Sequence, residues 1–166
     1  MRVLWCVCGA EYFLEESVSV LEGLGDVTVV LSSAAQEVAS MYLLLERIKA
    51  AAKETVYESR HGDSSTLIMR LGRFDKVVVA PCSGNTAAKL AHGIADSLVT
   101  NVVSQALKGG VSVVILPTDA AKTVTGKTVS GGKITLTCRR VDLENVRKLR
   151  REVKVVKNAE ELGKSI

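Results

Sequence analysis

Short runs of apolar residues recur along the chain, separated by segments whose apolar residues follow helical spacing. Four runs are apolar without alternation and predict buried strands: Val3–Val7, Val27–Leu31, Lys76–Ala80 and Val111–Leu116. The intervening segments predict helices near 12–24, from Ser32 to about Lys53, at Ala87–Ala91 and at Leu98–Leu107. Strands that are apolar on both faces need a helical layer on each side. The pattern therefore predicts an α/β fold: a single-domain, doubly wound (Rossmann-like) parallel sheet in three α/β/α layers.

Local signals mark strand ends and one irregular segment. Pro81 and Pro117 are expected to end the strands that precede them. Residues 119–132 are rich in Thr, Lys, Gly and Ser, and they predict a mobile loop. Residues 133–166 are expected to form a basic C-terminal extension of the same domain, which spans 1–166. That extension contains a predicted strand at Ile134–Cys138 and a predicted basic helix at Leu143–Arg150.

Composition agrees with one well-packed domain. The chain has 166 residues, of which 47% are hydrophobic, 24% charged and 4% aromatic, so it can bury an aliphatic core and is not disordered. Its formal net charge is +4. Residues 121–166 hold 12 Lys and Arg against 5 Asp and Glu, whereas residues 1–120 hold 10 against 13. The basic C-terminal quarter fits either a solvated helix face or a docking site for an acidic partner.

Several classes of function are disfavoured. No apolar run reaches the roughly 18 residues of a membrane-spanning helix, so no membrane partner is expected. Basic residues are not interleaved with aromatic ones, so nucleic acid is not an expected partner either. The four cysteines, Cys6, Cys8, Cys82 and Cys138, follow no signal-peptide pattern, and we expect reduced thiols in a cytoplasmic protein.

Two of the cysteines end strands that should be neighbours in the sheet. Cys8 follows the first strand and Cys82 follows the motif strand, so their thiols could face each other. A redox pair, part of a metal site, and two small apolar side chains are the three interpretations left open. Without a supporting set of Cys and His residues, no metal site is assigned.

The strand ends carry small and hydroxyl side chains where a ligand would bind. In an open parallel sheet ligands bind at the carboxyl ends of the strands, and a helix start with free N–H groups accepts phosphate. Those ends hold Cys8–Glu11, Ser32–Ala35, Pro81–Thr86 and Pro117–Asp119. Helix capping alone would explain any one segment, with Ser32 or Ser33 as the N-cap of the second helix. Several such segments in one crevice favour a phosphorylated ligand, although no dinucleotide-binding glycine pattern or P-loop is present.

The segment Ala80–Thr86 carries a recognisable motif, Ala-Pro-Cys-Ser-Gly-Asn-Thr. It resembles the Pro-Ala-Ser-Ala-Asn-Thr motif of the homo-oligomeric flavin-containing proteins, which include phosphopantothenoylcysteine decarboxylases, lantibiotic-type cysteine decarboxylases and flavin prenyltransferases. The similarity continues through Ala88–Leu98 to Thr100-Asn101. The whole chain is most similar to the archaeal flavoprotein and dihydromethanopterin reductase branch. Further points of similarity are Tyr12–Ser17, Val29–Ala34, Leu71–Asp75 and Leu116–Asp119.

The resemblance implies FMN as the cofactor of a homo-oligomer, a trimer or a dodecamer built from trimers, with flavin at subunit interfaces. It places flavin contacts in the turn after the first strand and in the segments after the second and fourth strands. The residues so assigned are Gly9, Ala10, Glu11, Ser32, Ser33, Ala35, Pro81, Cys82, Ser83, Asn85 and Thr86. Asn85 and Asp119 are also assigned to the substrate, because both side chains can orient a polar group; Asp119 could equally cap a turn.

Two departures from the family pattern bear on the reaction. The decarboxylases carry a catalytic His on the helix before the motif strand, and Leu67 takes that place here. His61 lies six residues earlier and does not replace it. The substrate segment that the decarboxylases carry after the fifth strand is replaced by Leu116–Asp119. Decarboxylation is therefore disfavoured, and no catalytic side chain is assigned.

With these departures, the resemblance predicts an FMN-dependent reductase. It would take electrons from a reduced nicotinamide or a ferredoxin and pass them to a small-molecule or protein acceptor, such as a dihydromethanopterin-type pterin. One alternative is a flavin electron-transfer protein that reduces an iron–sulfur partner. A less favoured alternative is a flavin-dependent decarboxylase or prenyltransferase with relocated catalytic groups. His92, which precedes Gly93, is expected to cap a helix.

Overall fold

The computed structural model describes residues 1–59 and 65–166. The strands in chain order are β1 (Val3–Val7), β2 (Val27–Leu31), β3 (Glu54–Tyr57), β4 (Lys76–Cys82), β5 (Ser112–Pro117), β6 (Thr123–Lys127), β7 (Lys133–Thr137) and β8 (Lys154–Val155). Six of them form a parallel sheet in the order β3-β2-β1-β4-β5-β8, and β6 pairs with β7 as an antiparallel hairpin. The predicted doubly wound α/β fold is confirmed.

Helices cover both faces of the sheet. In chain order they are α1 (Leu14–Glu22), α2 (Ser33–Met41), α3 (Leu45–Ala51), α4 (Ser65–Met69), α5 (Gly84–Ala91), α6 (Leu98–Lys108), α7 (Arg140–Leu149) and α8 (Ala159–Gly163). Alternate residues of each strand face opposite layers. On β1, Trp5 packs with α1, α2, α3 and α8, whereas Leu4 and Cys6 pack with α4, α5, α6 and α7. Both faces are thereby buried, which explains why the strands are apolar throughout.

The largest core side chain also connects β1 to β4. Trp5 is 1% exposed, and its indole N–H donates to the carbonyl oxygen of Ala80 at 2.8 Å. A buried indole needs such a partner, because an unpaired polar group in the core costs free energy. The hydrogen bond therefore fixes β4 against β1 one residue before Pro81.

The long helix predicted from Ser32 to about Lys53 is wrong, because α2 and α3 are separated by a turn. Leu43 has a φ of +58°, its N–H donates to the Ser40 carbonyl oxygen, and the N–H of Leu44 donates to the Ala39 carbonyl oxygen. These are the two hydrogen bonds of a Schellman helix end, where glycine is the usual residue with positive φ. A leucine stands there instead, so the sequence carries no stop signal.

The expectation that Pro81 terminates its strand is corrected, whereas β5 does end at Pro117 as predicted. β4 continues through Pro81 to Cys82, and the Ala80–Pro81 peptide bond is cis. Val79 pairs with Ile115 and Cys82 with Pro117, so β4 advances three residues where β5 advances two. This is a β-bulge, and it returns the side chain of Cys82 to the sheet face that already holds Val79.

The loop predicted over 119–132 contains a strand, which takes up five of its fourteen residues. Thr123–Lys127 forms β6 and pairs antiparallel with β7, from Thr123 opposite Thr137 to Lys127 opposite Lys133. Within β6 only Val124 is buried, and every residue of β7 is exposed. The polar composition of the segment reflects this exposure. Among the described residues no helix combines the length and apolarity needed to cross a membrane.

Candidate functional site

β1 and β4 lie side by side in the sheet, and the chain leaves their carboxyl ends toward opposite faces. α1, after β1, packs on one face, and α5, after β4, packs on the other. In Rossmann-like sheets this reversal opens a crevice where ligands bind. Backbone hydrogen bonds hold its edge in register: the N–H of Cys8 donates to the Pro81 oxygen at 3.1 Å, and that of Ser32 to the Val7 oxygen at 3.2 Å.

Gly9 lets the turn after β1 lie directly against the start of α2. A Cβ at Gly9 would lie 2.4 Å from the Cβ of Ala34 and 2.8 Å from its carbonyl carbon, closer than non-bonded atoms approach. Ser32 is the N-cap of α2, because its hydroxyl oxygen accepts from the N–H of Ala35 at 3.0 Å. The Ala35 side chain points into the core. The ends of β1 and β2 therefore form one continuous surface.

The motif after β4 places polar groups at the start of α5. Ser83 is the N-cap: its hydroxyl oxygen accepts from the N–H of Thr86 at 3.4 Å, and the hydroxyl lies 3.2 Å from Thr86 Oγ1. Asn85 between them is exposed, and within 1–59 and 65–166 its amide contacts no hydrogen-bond partner. Two hydroxyl groups and one free amide thus line this side of the crevice.

Asp119, which follows β5, reaches the same helix start. A Cβ at Gly84 would lie 2.3 Å from Asp119 Oδ2, so the carboxylate packs against the α-carbon of this glycine. The Thr118 hydroxyl donates to Oδ2 at 3.0 Å, and Cys138 Sγ lies 3.5 Å from Oδ1. Burial and this carboxylate raise the pKa of Cys138 to about 11. Asp119, assigned to the substrate from the sequence, therefore packs against the residue that precedes Asn85.

Cys8 and Cys82 lie at the floor of the crevice and are buried. Hydrogen bonding from Cys82, Thr86 and the Ser83 backbone lowers the pKa of Cys8 against the opposing effect of burial. Hydrogen bonding to Cys8 and burial raise the pKa of Cys82 well above its usual value. In the part of the chain that the structure describes, no cluster of His, Cys, Asp or Glu could hold a metal ion.

Glu58, at the end of β3, belongs to this edge although the sequence did not identify it. Its Oε2 accepts from the N–H of Ser33 at 3.0 Å, and its Oε1 accepts from the N–H of Leu98 at 2.8 Å. One carboxylate therefore bridges the starts of α2 and α6, where the helix dipoles favour negative charge. The start of α2, expected to accept phosphate, already holds this anion. No local pattern could reveal it, because the partners lie 25 and 40 residues away.

Glu11 contacts the hairpin on the other side of the turn after β1. Its Oε1 accepts from the N–H of Lys127 at 2.6 Å, and Gly126 packs against the same carboxylate. The Tyr42 hydroxyl donates to the Lys127 carbonyl oxygen at 2.8 Å. A cavity of about 150 Å³ lies between the hairpin, the start of α1 and Tyr42. The carboxylate of Glu11, one of the predicted flavin contacts, is thus engaged in positioning β6.

The histidine positions that bear on catalysis fall outside the crevice or outside the described residues. Leu67, at the place of the family's catalytic His, is buried on α4. His61 lies outside the described residues. His92 is the C-cap of α5, as predicted, and Gly93 after it has a φ of +70°. The His92 ring also lies 3.1 Å from the Asn145 side-chain oxygen on α7.

The basic C-terminal side chains are divided between the two ends of α7. Arg139 and Arg140 form ion pairs within α7, with Asp142 and Glu144. Arg150 and Arg151 border an open depression beside residues 110–113, which precede and begin β5. That is the amino edge of the sheet, opposite the edge that carries the polar groups described above.

Comparison with known proteins shows which proteins this chain is similar to. Two relatives are named dihydromethanopterin reductase (acceptor). The relative from Methanocaldococcus jannaschii is 39% identical over 132 residues, which cover 72% of this chain and 54% of the relative. The relative from Methanosarcina mazei is 40% identical over 131 residues, which cover 71% of this chain and 55% of the relative. The chain therefore spans about half the length of these curated relatives.

A solved structure matches along nearly the whole chain. It is Burkholderia xenovorans DmrB in complex with FMN, described as a cubic protein cage for redox transfer. It is 29% identical, covers 99% of this chain and 92% of its own, and superposes with a TM-score of 0.86. The Flavoprotein family model matches residues 1–164. Both the motif after β4 and the whole-chain match agree with the resemblance seen in the sequence: the chain belongs to the Flavoprotein family.

Proposed function

We propose that the chain binds FMN in the crevice between the ends of β1 and β4 and acts as an FMN-dependent reductase. The observation that carries the proposal is the place of the Ala80–Thr86 motif: it lies at the strand-order reversal of a Rossmann-like sheet, beside the glycine turn after β1. A structure that superposes along the whole chain holds FMN. The free cysteines support the prediction of a cytoplasmic location.

The residues around the crevice suit the polar parts of FMN. The hydroxyls of Ser83 and Thr86 can donate to phosphate or ribityl oxygens, and the free amide of Asn85 can both donate and accept. Gly9, without a side chain, lets the turn after β1 lie against the start of α2, so the ends of β1 and β2 border the crevice together. We place the phosphate at the start of α5 and not at the start of α2, where the Glu58 carboxylate accepts from the N–H of Ser33. When bound, FMN supplies the redox chemistry, and the chain supplies binding, orientation and a polar environment.

We also propose a homo-oligomer, a trimer or a dodecamer built from trimers. A similar solved structure, DmrB, is described as a cubic protein cage, which supports an assembly of many chains. Large apolar side chains on β7, Ile134 and Leu136, are 42% and 54% exposed and support contact with another subunit.

The proposed acceptor is a dihydromethanopterin-type pterin, and the proposed donor is a reduced nicotinamide or a ferredoxin. The names of the two curated relatives support the acceptor. A second candidate function is an electron-transfer protein without small-molecule turnover. It is favoured by one observation: the similar structure DmrB is described as a cage for redox transfer.

Cofactor binding is tested by titrating the purified protein with FMN and following the flavin spectrum. We expect saturable binding, and we expect Ser83→Ala to weaken it about tenfold, the effect of one lost hydrogen bond to a charged group. Asn158→Ala is the matched control, because Asn158 caps α8 as Ser83 caps α5. A protein that takes up no FMN, or equal affinities in the two variants, would contradict the proposed site.

The reaction is tested anaerobically on the FMN-loaded protein. We expect reduced nicotinamide or reduced ferredoxin to bleach the flavin and a dihydropterin to restore its colour. Bleaching by ferredoxin with no reoxidation by dihydropterin would instead establish the electron-transfer alternative. Carbon dioxide release from a cysteinyl peptide would contradict both the reductase and the electron-transfer proposals. It would instead favour a decarboxylase, the function that Leu67 at the place of the catalytic His disfavours.

A further inference from the structure

Three of the four cysteines lie together at the carboxyl edge of the sheet. Cys6 and Cys8 on and after β1, and Cys82 at the end of β4, share the face covered by α5 and α6. Cys8 is 2% exposed and Cys82 is fully buried. The next residues along the chain, Gly9 and Ser83, are only half-buried. The two sulfur atoms therefore lie one residue beneath the surface of the crevice.

The bulge in β4 places Cys8 directly opposite Cys82. In a parallel ladder a residue donates its N–H to the carbonyl of the residue before its partner. Cys8 donates to the Pro81 carbonyl at 3.1 Å, so its partner is Cys82, whereas Cys6 pairs with Val79. Neighbouring strands lie about 4.7–4.9 Å apart. Disulfides span Cα separations of roughly 4.4–6.8 Å, so this pair is close enough to be bridged.

The surroundings give the two thiols different roles. Hydrogen bonding from Cys82, Thr86 and the Ser83 backbone lowers the pKa of Cys8 against the effect of burial, which favours the thiolate, the reactive form of a cysteine. Hydrogen bonding with Cys8 and burial raise the pKa of Cys82. Cys82 Sγ also lies 3.8 Å from the Ser83 carbonyl oxygen, to which its S–H can donate. Within the pair we therefore assign Cys8 as the nucleophile and Cys82 as the thiol that resolves an oxidised Cys8.

Cys138 provides the contrast. It is more exposed than the other three, but it lies beside the Asp119 carboxylate, which opposes ionisation and holds its pKa at about 11 together with burial. Exposure alone would therefore select the wrong cysteine as the oxidation site.

We propose that Cys8 and Cys82 form a reversible dithiol–disulfide centre at the floor of the crevice, oxidised by a small peroxide and reduced by a dithiol. The centre depends only on the pairing of β1 with β4 and on the groups around the two sulfurs. It therefore does not depend on FMN binding or reductase activity.

The oxidation proceeds in two balanced steps. The Cys8 thiolate attacks hydrogen peroxide, an S–O bond forms, the O–O bond breaks, and the leaving hydroxide takes up the proton released by the thiol, giving water and a sulfenic acid. The sulfur of Cys82 then attacks the sulfenic sulfur: the S–S bond forms, the S–O bond breaks, and the proton of Cys82 leaves with the hydroxyl as water. Two thiols and one peroxide give one disulfide and two waters. Two successive exchanges with a dithiol restore both thiols.

The test is peptide mapping of the purified protein, with bound FMN and after its removal, before and after hydrogen peroxide treatment. Free thiols are alkylated under denaturing conditions. We expect two of the four thiols to be lost, a Cys8–Cys82 linked peptide to appear in at least one form of the protein, and dithiothreitol to reverse both changes. Absence of the linked peptide from both forms would overturn the proposal.

Three variants separate this pair from its neighbours. Cys6→Ala should leave the link intact, which distinguishes Cys8 from the cysteine two residues earlier. Cys138→Ser should also leave it intact. Cys82→Ser should abolish the link and leave an oxidised Cys8 that dimedone traps. A link that disappears with Cys6→Ala, or dimedone labelling of Cys138 in place of Cys8, would refute the assignment even if Cys82→Ser fails to fold.

Discussion

Two glycines in this molecule are surrounded by very different neighbours. Gly9 faces the Cβ and carbonyl carbon of Ala34, which belong to the first turn of α2 and cannot rotate away. Gly84 faces the end of the Asp119 side chain, which can adopt another rotamer. Both glycines permit a close approach, but only the first fixes the distance between two elements.

Alanine substitutions at these glycines should therefore have unequal effects. Gly9→Ala should lower the free energy of unfolding by about 1–3 kcal/mol, because α2 must move away from β1. Gly84→Ala should cost less, because only the Asp119 carboxylate has to rotate. Urea unfolding followed by circular dichroism measures both. Equal losses, or a larger loss for Gly84→Ala, would contradict this picture of the crevice.

The residue-scale chemistry of the site was only partly predictable. Ser83, Asn85 and Thr86 could be identified because one contiguous motif holds them. Glu58 could not, because its partners belong to the starts of α2 and α6, which are distant in sequence. The sequence left open whether Cys8 and Cys82 lie opposite each other. Their pairing depends on the bulge in β4. A proline alone does not indicate a bulge, so the sequence could not predict the pairing.

At the scale of elements, the hairpin shows where composition misleads. Thr, Lys, Gly and Ser indicated a loop, yet β6 and β7 pair along five residue pairs. Exposed strands need not carry an apolar alternation, so their hydrogen bonds leave little trace in the sequence. The hairpin is fastened to the main domain at Lys127, by Glu11 and Tyr42.

Removing one of these fastenings should loosen the hairpin without unfolding the domain. Tyr42→Phe deletes the hydroxyl that donates to Lys127 and should raise amide exchange rates several-fold within 123–137, consistent with a hydrogen bond worth about 0.5–1.5 kcal/mol. Hydrogen–deuterium exchange with mass spectrometry measures this. Tyr57→Phe, at an exposed tyrosine on β3, should leave the exchange of the hairpin unchanged. Unchanged amide exchange within 123–137 in Tyr42→Phe would show that the Tyr42 hydroxyl does not help to hold the hairpin against the domain.

The start of α7 carries the clearest pH dependence. The side chain of Asp142 is 8% exposed, and its carboxylate accepts from the backbone N–H and the guanidinium of Arg139. Hydrogen bonds from Arg139 lower the pKa of Asp142 against the effect of burial. A carboxyl whose pKa is lower in the folded protein stabilises it above the unfolded pKa of about 3.9, and this stabilisation is lost as the pH falls through the folded value.

Asp142→Asn should therefore lower stability by about 1 kcal/mol at pH 7. The difference from the unmodified protein should shrink steadily as the pH is lowered below about 4. Denaturant midpoints at a series of pH values measure it. Glu144→Gln is the control: the Arg140–Glu144 pair is 90% and 40% exposed, and its loss should change stability by less than about 0.5 kcal/mol. A pH-independent difference for Asp142→Asn would contradict the ionic explanation.

At the scale of the whole molecule, the order β3-β2-β1-β4-β5-β8 determines where the chemistry lies. The number of buried strands and their parallel arrangement followed from apolar runs separated by helices. Their spatial order did not, because hydrophobic pattern marks burial and not adjacency. The order also separates two charged regions: the crevice is at the carboxyl edge, and the basic side chains of Arg150 and Arg151 are at the amino edge. A partner attracted to those arginines would therefore bind away from the crevice.

The proposed assembly makes a direct prediction about particle mass. One chain has a mass of 17.7 kDa. Light scattering coupled to size-exclusion chromatography should give a multiple of three chains, because the proposed assembly is a trimer or is built from trimers. Leu136→Lys, on the exposed strand β7, should shift the particle toward smaller species, whereas Lys133→Arg should not. A monomer that nevertheless binds FMN tightly would overturn the subunit requirement.

The bulge in β4 has a consequence for how this protein can vary. Three residues of β4 span the distance that two residues of β5 span, so the side-chain alternation is reset between Val79 and Cys82. Deleting one residue between Val79 and Cys82 would remove the bulge: β4 and β5 would pair residue for residue, and Cys82 would stay opposite Pro117 on the face of Val79. Relatives that lack the bulge should therefore be one residue shorter at this place and keep the rest of the motif in register. Insertions should be tolerated at the hairpin tip, 128–132.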